Sequence, residues 1–216
     1  MLWIIPELFL YVGGTLMSQV LSKLAKEYEK LRDKQYIYSL ENGTSFTLIF
    51  ENKRFAHLLG LHKIIDVPQL KKLADKKYSA NKVFKEIKSG IISDDDIFNS
   101  CYFSEIENRY HYFHKIEDLI FEKAIIDFDR TKLYTKIKAD ILLYTIVDGL
   151  YIHLCLVRDK KNFLVPMTFI VHPTDLYVKG QDEINITNLY IKDKNGVEKT
   201  YIYLDEVAMT INNDKE

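Results

Sequence analysis

Two histidines five residues apart, His57 and His62, stand in the segment Phe55-Ala-His-Leu-Leu-Gly-Leu-His-Lys63. Imidazole titrates closest to neutral pH, so a converging pair can take a proton at one atom and return one at another. On a continuing helix that spacing points the two rings well apart around the axis. Gly60 between them reads as a helix stop, and a turn there swings His62 back beside the last turn. A blander reading makes His57 a half-buried helix residue and His62 a favourable cation at a helix C-terminus. No acid occurs from Asn52 to Ile65, whereas Lys53, Arg54 and Lys63 accompany the histidines.

A second acid-free window runs from Arg130 to Ala139 and carries Arg130, Lys132, Lys136 and Lys138. As a strand, it places Lys136, Lys138, Asp140, Leu142 and Tyr144 on one face and Ile137, Ala139, Ile141 and Leu143 toward the core. Two lysines and a tyrosine on one face can hold a phosphate and stabilise added negative charge. A solvated sheet face has the same pattern. A third such window is Lys76 to Lys85. Arg109, His111 and His114 read as an exposed polar helix face rather than a metal pair, because the spacing and glutamate of a metalloprotease helix are lacking. His153 alternates with apolar neighbours and reads as a satisfied core residue. Thr168 follows Pro166, which suggests a strand edge.

The elements that must position these groups follow from periodicity. Residues 18–34 repeat Val20, Leu21, Leu24, Tyr28 and Leu31 at helical spacing, with Ser18 as cap. Ser45 to Phe50 reads as a strand after the turn Glu41–Thr44, and Asn52 caps a short helix, Lys53 to Leu59. Pro68 and Ser93-Asp-Asp-Asp96 start further helices, and Phe103–Phe121 is the longest helical candidate. From Ala124 the period becomes two. Strands are expected at Lys136–Val147, Leu150–Arg158, Phe163–Val171, Ile184–Lys192 and Lys199–Leu204, with Asp148-Gly149 and Asn195-Gly196 as hairpin turns. Helices followed by an antiparallel meander give an α+β domain.

Composition narrows the function. The chain has 216 residues, 30 Lys and Arg against 31 Asp and Glu, and a net charge of −1, so no general basic coat for nucleic acid exists. Cys101 and Cys155 are too few for a disulfide scaffold and fit a cytoplasmic setting. No Cys-x-x-Cys pair, P-loop, Gly-rich dinucleotide turn or G-x-S-x-G elbow is present, so no cofactor and no metal are expected. Residues 1–16 are apolar but interrupted by Pro6 and Glu7, too short to span a bilayer, and no membrane role is expected. They read either as an N-terminal packing segment or as a start-site artefact, with translation beginning at Met17. A single domain is then expected over 17–216.

Several of these segments, taken in order, resemble one family. They are Ser45-Phe-Thr-Leu-Ile-Phe50, the Phe55–Lys63 segment, Asp127-Phe-Asp-Arg-Thr-Lys-Leu-Tyr-Thr-Lys-Ile-Lys-Ala-Asp140, Pro166-Met-Thr-Phe169, and Tyr177 with Gln181. Together they are similar to the phage Barnase–EndoU–colicin–RelE-like nucleases, fourth subtype, over roughly residues 35 to 195. The resemblance implies a helix-then-antiparallel-sheet nuclease fold and metal-independent RNA cleavage. It points to His57, His62, Lys63, Lys136, Lys138 and Thr168. His57 and His62 would share acid–base work. Lys136 and Lys138 would contact phosphate, with Arg54, Arg130 and Tyr144 as further substrate contacts, and the product would be a 2′,3′-cyclic phosphate. The expected partners are RNA and a cognate inhibitor or host protein, as for a toxin of phage or mobile-element origin. The competing reading is a catalytically inactive nuclease-fold protein that binds and inhibits a host factor or defence system.

Overall fold

A computed structural model describes residues 19–74, 79–196, 198–204 and 207–212. The doubtful extension 1–16, Ser18 as a cap and part of the Lys76–Lys85 window lie outside the described residues. No helix among the described residues is long and apolar enough to cross a membrane.

The N-terminal helix α1 (Val20–Arg32) buries Leu21, Leu24, Ala25, Tyr28 and Leu31, the stripe expected from its spacing. Its first turn is held from a distance, because Leu21 N donates to Asp94 Oδ1 at 2.8 Å. The segment after it is not helical. Strand β1 (Lys34–Leu40) alternates, burying Tyr36, Tyr38 and Leu40. A turn with Gly43 at φ +80° joins it to β2 (Ser45–Ile49). Helices α2 (Asn52–Leu59), α3 (Pro68–Ala74), α4 (Ala80–Lys88) and α5 (Asp94–Phe98) follow. Ser93 closes a capping box with Asp96 at the start of α5, as its sequence suggests.

The expected long helix over 103–121 is instead a single α-helical piece, α6 (Glu107–Tyr112), flanked by 3₁₀ turns at Phe103–Glu105, Phe113–Ile116 and Asp118–Phe121. The buried side chains Tyr110, Phe113, Ile116 and Leu119 recur every three residues, the period of the tighter helix. Arrangement of the core therefore overrides the α pattern here.

The remaining strands are β3 (Ala124–Asp127), β4 (Ile141–Val147), β5 (Leu150–Arg158), β6 (Leu164–His172), β7 (Asp182–Asp193), β8 (Glu198–Leu204) and β9 (Val207–Asn212). They form one sheet in the order β1-β2-β6-β5-β4-β3-β7-β8-β9, and β1 also pairs with β7. That extra pairing, Lys34↔Asp193 through Leu40↔Ile186, closes seven strands into a barrel. The α+β class holds, but the purely antiparallel meander does not. β2 joins β6 in parallel at Leu48↔Leu164, and two strands come from the helical half of the chain. Asp148 at φ 53° and Gly149 at φ 75° make the β4–β5 hairpin turn where it was expected.

The sheet separates two apolar clusters. The larger gathers the buried faces of α1, α2, α4 and α6 with Tyr36, Tyr38, Leu48, Leu143, Leu154 and Phe169. The smaller, on the other face, contains Ile126, Phe128, Leu142, Cys155 and Ile170, bordered by Leu133, Ile137, Ala139, Tyr144 and Tyr177. Because both faces are covered, Leu142 and Leu143 are each fully buried. The run from Leu133 to Ala139 lies outside the sheet with its side chains alternately half-buried and exposed, and β4 begins only at Ile141. The side-chain phase slips at Asp140, so Ile137 and Ala139 share a face with Leu142 and Tyr144 rather than with Ile141. Lys136 and Lys138 are therefore not on the Tyr144 face. The slip is fixed by Asp140 itself: its N–H donates to Leu156 O at 2.8 Å, and its Oδ2 accepts from Arg158 N at 2.7 Å.

Candidate active site

Helix α2 owes its reversal to a single residue. Gly60 adopts φ 82°, ψ 13°, the left-handed conformation that L side chains avoid, and its N–H closes back on Ala56 O and His57 O. The chain then enters a 3₁₀ turn, Leu61–Lys63, whose Leu61 is buried and fixes the direction of return. The expected consequence follows. The rings of His57 and His62 stack with centroids 4.5 Å apart and planes 19° from parallel.

His57 is exposed and His62 half-buried. Both hold their imidazoles below the ordinary range. Burial does most of this for His62, followed by the charges of His57, Arg109 and Lys63, and it brings the ring to about 4. For His57, exposed at its surface but partly desolvated, the direction is the same, from that desolvation first and then from Arg109 and Arg54. Two imidazolium rings in face contact would repel, so the pair carries at most one proton readily. His62 Nδ1 is buried without a hydrogen-bond partner in the structure.

Two arginines supply the positive field. Arg54 lies one helical turn before His57 and reaches Glu51 Oε2 at 3.4 Å and the Met167 sulfur at 3.3 Å. Arg109 was read from sequence as part of an exposed polar face; it is half-buried and packed on the turn. A methyl group on Gly60 would lie 2.9 Å from Ile106 Cγ2 and 3.3 Å from Arg109 Nη1. On its other side the guanidinium feels Cys155 and Tyr177, and burial rather than any acid dominates its titration. Among the described residues no carboxylate pairs with it. Helix α6, through Arg109, thus brings a bare cation to the histidine stack.

The other expected residues divide. Lys63 is half-buried and ion-paired with Glu105 at 3.5 Å, which engages its charge beside rather than at the stack. Thr168 is half-buried inside β6 and pairs with Cys155 of β5 on one side; on the other side β2 meets β6 at Leu164, short of Thr168. The register shifts immediately beyond it, so Pro166 stands where the ladder is already irregular and its missing N–H costs little. Tyr144 donates to Glu183 Oε2 at 3.3 Å and stacks near His153 at 6.3 Å. Arg130 is exposed on the 3₁₀ turn Arg130–Lys132, and Lys136 and Lys138 are exposed on the segment after it. His153 is buried as expected, and burial brings it to about 4 against the opposing pull of the Ile170 and Tyr151 backbone. It packs edge-to-face on Tyr177 at 5.5 Å. Cys155 is a fully buried thiol. Among the described residues no cluster of three or more His, Cys, Asp or Glu side chains is placed to hold a metal ion.

Gly60→Ala tests the turn directly. The φ penalty and the contact with Ile106 are expected to lower stability by about 1–3 kcal/mol in urea unfolding. An unchanged midpoint would show that the left-handed turn is not imposed by the glycine.

A family model described as phage-Barnase-EndoU-ColicinE5/D-RelE like nuclease4 matches residues 20–207. No curated protein and no solved structure matches the chain.

Proposed function

The chain belongs to the phage-Barnase-EndoU-ColicinE5/D-RelE like nuclease family, and from that premise we propose that it is a metal-independent endoribonuclease acting through His57 and His62. The observation that carries the proposal is the imidazole stack at 4.5 Å beside the unpaired guanidinium of Arg109.

The chemistry follows from the electrostatics. His62, held near 4, is neutral at pH 7 and fits the base that removes the ribose 2′-hydroxyl proton. The 2′-oxygen attacks the adjacent phosphorus, and the P–O5′ bond breaks. His57 is the more exposed ring and fits the acid that protonates the departing 5′-oxygen. The charge that builds on the phosphoryl oxygens is met by Arg109, whose half-buried site strengthens the interaction. Arg54 adds to the same field. The products are a 2′,3′-cyclic phosphate and a free 5′-hydroxyl.

The test is incubation of the purified protein with single-stranded RNA in excess EDTA, with the ends identified by mass spectrometry. Cyclic phosphate ends are expected, and DNA of the same sequence stays intact because it lacks the attacking hydroxyl. Cleavage that appears only on adding a divalent cation, or equal cleavage of DNA, would remove this mechanism.

A further inference from the structure

The segment Arg130–Ala139, a 3₁₀ turn and the run that follows it, takes no part in the proton transfers, yet its construction is unusual. Tyr134, Lys136 and Lys138 are exposed while Leu133, Thr135, Ile137 and Ala139 beside them are half-buried, and Arg130, Thr131 and Lys132 are all exposed on the turn before them. Leu133, Ile137 and Ala139 pack on the smaller apolar cluster beside Tyr177. Both ends are clamped. Gln181 accepts from Asp129 N at 2.8 Å and donates to Asp129 O at 3.2 Å. Asp140 O accepts from Phe128 N at 3.0 Å. The segment therefore presents four cations and one aromatic ring outward: Tyr134, Lys136 and Lys138 on alternate residues, and Arg130 and Lys132 from the 3₁₀ turn that precedes them. Of the four, Lys132 is engaged, at 2.9 Å from Asp182.

Tyr134 is the decisive residue. Its relative exposure is 111%, so the whole ring stands in water, flanked in the row by Lys132 and Lys136. A large aromatic kept fully wet, with no cluster of its own beneath it, gains nothing for the fold. Exposed cations on either side of an open aromatic face suit unpaired nucleic acid, with phosphates on the cations and a base on the ring.

We propose that the Arg130–Lys138 row is a docking rail for unpaired RNA, in which Tyr134 stacks one base while Arg130, Lys136 and Lys138 meet neighbouring phosphates. The inference rests on the ribonuclease reading and narrows its substrate to single strands or loops. A base in a duplex has no free face for the ring.

The experiment measures fluorescence anisotropy of a short unpaired RNA with the full chain carrying His57→Ala, so that turnover does not intrude. Tyr134→Ala in that background is expected to weaken binding about tenfold, with the salt dependence unchanged, and Tyr134→Phe to keep it. Lys136→Ala with Lys138→Ala is expected to lower the slope of log affinity against log salt by about 1.4. Tyr134 lies in solvent, so these variants fold. Equal affinity of Tyr134→Ala, or equal binding of a duplex, overturns the rail. Tyr134-dependent binding of a glutamate-rich peptide that displaces RNA reassigns the row to a protein partner and also overturns it. Tyr134-dependent RNA binding without any cleavage by the unaltered protein keeps the rail and removes the ribonuclease mechanism. Cleavage whose KM ignores Tyr134 does the reverse.

Discussion

His57→Ala and His62→Ala are each expected to lower kcat/KM for RNA cleavage by roughly 10²–10⁴, the range for a positioned acid or base. Neither substitution removes a core side chain: His57 is exposed and His62 half-buried, so loss of rate is not loss of fold. The two losses are expected to be non-additive, because once one proton cannot be moved the second group has little left to assist. Circular dichroism and the urea midpoint of each variant separate the two causes.

The pH profile distinguishes the two roles. In the free protein His62 titrates near 4, and His57 lies below its ordinary 6.5. The active form needs His62 neutral and His57 protonated. As pH rises through about 4, His62 loses its proton and kcat/KM climbs; His57 loses its own at a pH below the ordinary imidazole range, and kcat/KM then falls. The maximum is therefore expected on the acid side of neutrality, between those limits. His62→Ala should erase the acid limb of the residual activity, and His57→Ala the alkaline limb. The opposite pairing of limb and variant exchanges the roles, and a profile that neither substitution alters removes both residues from the chemistry.

Some of this was legible in the sequence for a definite reason. Positive φ is open to few residue types, so Gly60 and the Asp148-Gly149 pair announced their turns, and the stacked histidines follow from the first of them. Strand β5 emerged with its expected bounds, Leu150–Arg158, because it is held by an expected tight turn on one side and an apolar run throughout. What stayed hidden depends on pairings far apart in the chain. β1 meets β7 across about 150 residues, for instance Ser39↔Asn188, and no local pattern encodes that closure. The slip at Asp140 is also invisible to alternation, because both faces of β4 are buried and an apolar run reads the same in either phase. Arg109 escaped for a related reason. Its helix pattern is polar, and only the docking of α6 on Gly60 reveals that one of those polar groups is turned inward.

Arg109→Met is expected to lower kcat/KM by about 10²–10³, comparable to deleting one donor from an oxyanion site. The reasoning starts from cost. A guanidinium taken partly out of water without a carboxylate is unfavourable, and burial already pulls its titration downward. Such a group is a net burden on the free protein, and it is best explained by an anion that arrives from outside. Replacement by methionine, similar in length and apolar, should leave the thermal midpoint unchanged or raise it while activity collapses. Arg109→Lys should keep part of the rate, since the charge remains but the planar pair of donors is gone. A readout unrelated to packing comes from the imidazoles. Arg109 depresses both rings, so its removal should move both limbs of the pH profile toward higher pH. Inorganic phosphate should stabilise the unaltered protein against heat and lose that effect in Arg109→Met. Unshifted limbs together with an unchanged kcat/KM would place Arg109 in the packing of the Gly60 turn alone, and the phosphate would then have to be met by Arg54.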